Sequence, residues 1–162
     1  ILYPEELELA SKLVNSQGGD WGYVTIPIQT TDKNLEKWQK IMDEALKLHL
    51  IPIIRLATYP VTDFWVKPDL YEAVDFANFL NSLDWPVKNR YIIFYNEVNN
   101  ALEWGNEINP AEYALFLNEA ITIFKQKSQN FFLLNSGFDA AAPNNHVLMD
   151  EYNYLNHFPI VI

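Results

Sequence analysis

Cysteine is missing from all 162 residues, which removes disulfides, thiolate metal sites and thiol nucleophiles together. The absence leaves the compartment open, since many secreted proteins also lack cysteine. Glycine is scarce: Gly18, Gly19, Gly22, Gly105 and Gly137 are the whole set, and none forms a phosphate-cradling loop between a strand and a helix. Basic residues number 11 against 21 acids, for a net charge of −10, and no Lys/Arg cluster stands out. A nucleic-acid or anionic-membrane surface is therefore not expected. His49, His146 and His157 are scattered, with no His-x-x-x-His spacing, so neither a metal nor another cofactor is expected. Ser136-Gly137 lacks the Gly-x-Ser-x-Gly elbow of a serine hydrolase. No apolar run reaches the roughly 18 residues of a membrane span, and no basic-then-apolar leader opens the chain, so a soluble protein is expected.

What is abundant is apolar and aromatic: 49% hydrophobic and 15% aromatic residues, enough for one core and one domain over residues 1–162, or a piece of one. Leu7, Ala10, Leu13 and Val14 at helical spacing, after Pro4 and two acids, predict a helix to Asn15. A strand is predicted over Tyr23 to Ile28. Thr31 and Asp32 offer caps for a helix through Leu35, Trp38, Met42 and Ala45. A second strand is predicted over Ile51 to Leu56, a helix over Pro68 to Leu80, and a third strand over Arg90 to Tyr95. Asn109 as cap, Pro110 first and Glu112 third is the clearest helix start in the chain. Phe131 to Leu134 reads as a short strand and Val147 to His157 as a weaker helix.

Near-continuously apolar strands alternating with amphipathic helices mean βαβ units on a parallel sheet, expected to be covered on both faces. The class is α/β. Strand starts near Tyr23, Ile51, Tyr91 and Phe131 lie roughly 30 to 40 residues apart, as in the units of a (β/α)8 TIM barrel. Eight strands need about 250 residues, so a partial barrel is expected here, with Ile1-Leu2 as the tail of an earlier strand. The apolar run Pro159-Ile160-Val161-Ile162 reads as an element cut short. Uncovered barrel edges then invite self-association. The alternative is an open flavodoxin-like parallel sheet with a nucleotide at its strand tips.

The strand Arg90 to Tyr95 stops abruptly at Asn96-Glu97. A carboxylate at the carboxyl end of a barrel strand sits on a rigid support facing the substrate loops, so Glu97 is read as a catalytic acid. The competing reading is that Asn96 and Glu97 only turn the chain and cap the next segment. Asn96-Glu97-Val98-Asn99, with Trp104-Gly105 in the following loop, resembles the Asn-Glu-Pro-Asn signature after the fourth strand of the large clan of retaining glycoside hydrolases built on TIM barrels. From Ile1 to about Pro143 the chain resembles the first five βα units of such an enzyme. The resemblance implies that Glu97 is the acid/base, that Asn96 holds the sugar 2-hydroxyl, and that the substrate is a carbohydrate. It implies a nucleophile from the seventh strand, outside this chain, and slightly favours a secreted or cell-surface setting. Val98 departs from the usual Pro.

Retention needs a second carboxylate about 5 Å across the scissile bond. Within the chain, Asp139 follows the Phe131 strand, as a base, a turn former or a sugar contact, while Glu103 and Glu107 read as solvated loop acids. Arg55, a charge inside Ile53-Ile54-Arg55-Leu56, must find a partner, either in the site or in a structural ion pair. Trp65 and Trp104 lie on loops after strands, where flat rings stack on sugars or pack their own loops; Tyr59 and Phe64 share that end. Trp21 and Trp85 precede strands and read as packing. Asn99 and Asn135 complete the expected substrate contacts, with Phe138 beside them. A catalytically inert barrel that binds carbohydrate through Trp65 and Trp104 remains a rival.

Overall fold

Caps and apolar spacing set the helices of this chain, seen in a computed structural model that describes residues 3–159. The readings of Ile1-Leu2 and of Ile160-Val161-Ile162 lie outside the described residues. After one 3-10 turn at Pro4–Glu6 comes α1 (Leu7–Val14), which buries Leu7. Helix α2 (Leu35–Lys47) is capped by Asn34, not by Thr31 or Asp32: the Asn34 Oδ1 accepts the Lys37 N–H at 2.9 Å. Asp32 is engaged elsewhere, its carboxylate with the Lys37 ammonium and its carbonyl with the Trp38 indole N–H at 2.7 Å. Helix α3 (Leu70–Ser82) starts at its Asp69 cap, and α4 (Pro110–Lys127) starts as read, with Asn109 Oδ1 accepting the Glu112 N–H at 3.1 Å. Helix α5 is only Glu151–Asn156. Val147 and Leu148 are held out of it because Asn145 Oδ1 accepts both their N–H groups, and the Met149 N–H goes to the Asn99 carbonyl. Among the described residues no helix is long and apolar enough to cross a membrane.

The strands bury every second residue. In β1 (Gly22–Gln29) these are Val24, Ile26 and Ile28, and in β2 (Leu50–Ala57) Leu50, Pro52, Ile54 and Leu56. A two-residue hairpin, β3 (Pro60–Val61) with β4 (Phe64–Trp65), follows β2 and was not foreseen; two-residue strands are too short to carry a periodic signal. Strand β5 (Arg90–Ile93) buries Ile92 and β6 (Phe131–Leu134) buries Phe131.

These form a four-stranded parallel sheet in the order β1-β2-β5-β6, and the class is α/β. Each strand is added on the same side of the last. A flavodoxin-like sheet reverses direction after its second strand and keeps β1 inside; here β1 is an edge among the described residues and no reversal occurs. The expectation of helices on both faces also fails. Right-handed crossovers that always step the same way put every helix on one face, and Trp38, Ile41, Phe76, Leu80, Tyr113 and Phe124 join the alternating strand residues in one core there. The other face keeps its own rows, set by register: Ile53 beside Tyr91 beside Phe132, and Arg55 beside Ile93 beside Leu134. Arg55 apart, those rows are apolar, and the face is partly open, with Phe132 at 44% exposure.

Asn15 ties the end of α1 to the start of β1 and to the turn before β2. Its amide donates to the Leu48 and His49 carbonyls, and its Oδ1 accepts the Gly22 N–H at 2.7 Å. A Cβ on Gly22 would lie 2.3 Å from Val14 Cγ2 and 2.7 Å from that oxygen. Gly22→Ala is expected to lower stability by about 1–3 kcal/mol through overpacking, read as an earlier urea midpoint at unchanged slope.

Candidate functional site

Strand β5 ends in strained backbone. Tyr95 (φ 68°) and Glu97 (φ 36°) are left-handed without being glycine, at a cost of about 1–2 kcal/mol each. The sheet ladder holds both sides of the break: the Phe94 N–H donates to the Leu134 carbonyl at 3.1 Å and the Glu97 N–H to the Gly137 carbonyl at 2.8 Å. Below it, the Tyr113 hydroxyl accepts the Ser136 N–H at 2.9 Å and donates to Asn135 Oδ1 at 2.8 Å. The Tyr95 ring is locked among Trp104 and Phe116. Non-glycine residues persist in this conformation only when their surroundings over-determine it, and such positions gather at functional sites.

The break turns Asn96 toward the end of β2, where Arg55 Nη1 donates to Asn96 Oδ1 at 2.7 Å. The Asn96 amide also acts on the Glu103 carboxylate, favouring its charged form. An acceptor on one side and a donor on the other orient the amide: oxygen to the cation, NH2 to the anion. Arg55 forms no ion pair among the described residues, and its Nε is buried without a partner. Of the two partners expected for this charge, one in the site or a structural ion pair, it has an amide at the candidate site.

These side chains line a cavity of about 430 Å³ at the carboxyl ends of β1, β2 and β5. Gln29, Arg55, Thr58, Trp65, Asn96 and Glu103 contribute to its wall, with the Asp32–Lys37 ion pair at one flank. Trp65 and Arg55, both expected substrate contacts, thus line one cavity. Glu97 is half-buried and sits beside the cavity, close enough for its charge to act on Glu103, but does not line the wall. Burial, then the charge of Glu97, raise the Glu103 carboxyl above the ordinary carboxylate range, against the pull of Asn96 and Arg55. Glu103 is not a solvated loop acid. Its placement was readable in Asn100-Ala101-Leu102-Glu103: Asn100 Oδ1 accepts the Leu102 N–H and opens a 3-10 turn that carries Glu103 back to the tip of β5. Glu107 instead pairs with Lys67, which also reaches Glu112 at 2.6 Å and so ties the Trp65 segment to the first turn of α4.

The remaining expected contacts lie elsewhere. Trp104 is 1% exposed, in edge contact with Tyr95, Tyr113 and Phe116, and offers no face to a sugar. Asn99 is fully buried: its amide donates to the Asp139 and Met149 carbonyls and its Oδ1 accepts the Asp139 N–H. Asp139 spends its carboxylate on the Ala141 N–H, a turn closure. Asn135 is exposed but outside the cavity, held by Tyr113. Phe138 packs on Tyr154. At the opposite end, Trp21 stacks on His49 and Trp85 meets Phe131 edge-on. No group of three or more His, Asp or Glu among the described residues is placed to hold a metal ion.

No protein family and no curated protein matches this chain. The chemistry of the site rests on its geometry.

Asn99→Ala removes two donors and one acceptor from buried carbonyl and N–H partners and is expected to cost about 2–4 kcal/mol, measured by denaturant unfolding. Glu72 on α3 supplies a second check: burial, then Asp69, raise its carboxyl above the ordinary 4.5, and its Oε2 is buried without a partner. A carboxyl raised in the folded state binds its proton more tightly than the unfolded chain does, so its contribution to stability is lost as pH rises above 4.5. Glu72→Gln should flatten the decline of thermal midpoint between mildly acidic and neutral pH.

Proposed function

We propose that this chain forms the first strands of a (β/α)8 barrel and carries the acid/base side of a retaining glycoside hydrolase site. Sheet growth in one direction, helices confined to one face and an apolar opposite face support the barrel, whose interior is filled by such layers of side chains. The observation that carries the activity is the Arg55–Asn96 hydrogen bond at the carboxyl end of a buried strand, in one cavity with Glu103 and Trp65 and beside Glu97. Trp65 supplies a flat apolar face and the amide and carboxylates supply acceptors and donors, the pairing that polyhydroxylated rings require.

In this reading Glu97 gives its proton to the departing glycosidic oxygen as a carboxylate nucleophile bonds to the anomeric carbon and the C–O bond breaks with its electron pair going to that oxygen. It then takes a proton from the water that bonds to the anomeric carbon and displaces the carboxylate. Asn96 holds the hydroxyl next to the reacting carbon. The nucleophile, about 5 Å away across the bond, comes from a later strand of the barrel, beyond residue 162.

The test is hydrolysis of an unactivated glycoside by the purified protein carrying the full barrel. Glu97→Gln should lower kcat by about 10²–10⁴, with a smaller loss on aryl glycosides whose leaving group needs no proton. Sugar binding without turnover that survives Glu97→Ala would replace this reading with that of an inert carbohydrate-binding barrel.

A further inference from the structure

The hairpin that carries Trp65 is too small to hold itself. Strands β3 and β4 have two residues each, and an isolated two-stranded hairpin is at best marginally stable in water. Trp65 nevertheless forms part of the cavity wall, so its position is fixed from outside the hairpin. At the base, the Thr58 hydroxyl donates to the Val66 carbonyl at 2.6 Å and the Val66 N–H to the Tyr59 carbonyl at 3.1 Å. Other ties run to the loop that carries Glu103. The Gly105 N–H donates to the Trp65 carbonyl at 2.8 Å, and the Lys67 ammonium pairs with the carboxylates of both Glu107 and Glu112. The Lys67 arm lies over Gly105, where a Cβ would stand 2.6 Å from Lys67 Cγ, and Gly105 has φ 63°, so the close approach and the backbone both call for glycine. Glu112 completes the clasp by also accepting the Trp104 indole N–H at 3.3 Å.

We propose that Lys67 is a positioning residue: it clasps the Trp65 hairpin to the Glu103 loop and so fixes the sugar subsite that these two segments wall. Lys67 lies two residues beyond Trp65, and both its partners belong to the far side of the clasp, Glu107 to the end of the Glu103 loop and Glu112 to the first turn of α4. Its side chain is only 24% exposed, so these pairs are screened less than an open surface ion pair. The cation is the irreplaceable member. Without it Glu107 and Glu112 are left as two like charges beside the hairpin, and the Trp65 segment keeps only its base and the Gly105 bond. The consequence for a stacked sugar is steep, because a gap of about 0.5–1 Å between two surfaces forfeits about a quarter to a half of their dispersion attraction. The proposal rests on the reading of the cavity as a sugar site, but the clasp itself has a readout that needs no sugar.

That readout is hydrogen exchange at the Gly105 amide, compared in the protein carrying the full barrel with two variants. Lys67→Met keeps an arm over Gly105 and removes the charge, and Lys67→Arg restores the charge. Gly105 should exchange about 5–30-fold faster in Lys67→Met and close to the wild-type rate in Lys67→Arg, while the amides of β2 keep their rates, which separates a local release from general unfolding. With an aryl glycoside as substrate, Lys67→Met should raise KM about 3–10-fold and change kcat by less than about twofold, the pattern of lost binding that ground state and transition state share, and Lys67→Arg should recover it. An unchanged Gly105 rate in Lys67→Met overturns the clasp. A faster rate with an unmoved KM overturns its role in the subsite, and leaves Glu97 free to act as the acid. If the wild type neither binds nor cleaves a glycoside, the sugar reading fails and the subsite with it, whereas the Gly105 rates still decide whether Lys67 holds the hairpin.

Discussion

Everything at the candidate site depends on how the chain leaves β5. Two left-handed residues that are not glycine flank Asn96, and a strand continuing straight would place that side chain on a different line. The break is affordable only because its surroundings are rigid. Ladder bonds at Phe94 and Glu97 hold the backbone to β6 on either side, and the Tyr113 hydroxyl reaches up from α4 to the next loop. The Tyr95 ring is buried among Trp104 and Phe116, with its hydroxyl pushed well above its usual range, first by burial.

The aromatic content that looked like a supply of sugar platforms mostly serves that rigidity. Trp104, Tyr113, Phe116 and Phe158 form one run of edge contacts beneath the strand tips, and Phe94, Phe124 and Phe131 another within the core. Edge-to-face pairs of this kind add about 0.5–1.5 kcal/mol each beyond the area they bury. Asn99 plays the polar counterpart by pinning the turn at Asp139 and the segment before α5 to the loop after Glu97. The motif Asn96-Glu97-Val98-Asn99 therefore divides its labour: Asn96 lines the cavity with Glu97 beside it, Val98 is buried in the core and Asn99 anchors the loop.

Strand and helix positions were legible because they follow from short-range chemistry. Apolar, β-branched runs placed β1 and β2, and Asn109-Pro110 with Glu112 placed the start of α4 to the residue. The errors came where one side chain had two uses. Asp32 reads as a cap but is taken by Lys37 and Trp38, and Val147 reads as helical but is held by Asn145. Glu103 and Glu107 both read as solvated loop acids until the Asn100 cap is weighed; one lines a cavity and the other pairs with Lys67, because a 3-10 turn at Asn100 separates their directions.

The sequence by itself determined the α/β class, the parallel strands and a carboxylate at the tip of β5, since apolar periodicity and capping residues act over a few positions along the chain. Only the tertiary structure decided that the sheet grows in one direction with helices on one face, that Arg55 meets Asn96 across two strands, and that Trp104 is core while Trp65 is cavity wall. Those outcomes turn on which residues far apart in sequence become neighbours. Asn96 and Arg55 are 41 positions apart, and no local pattern encodes the 2.7 Å bond that joins them.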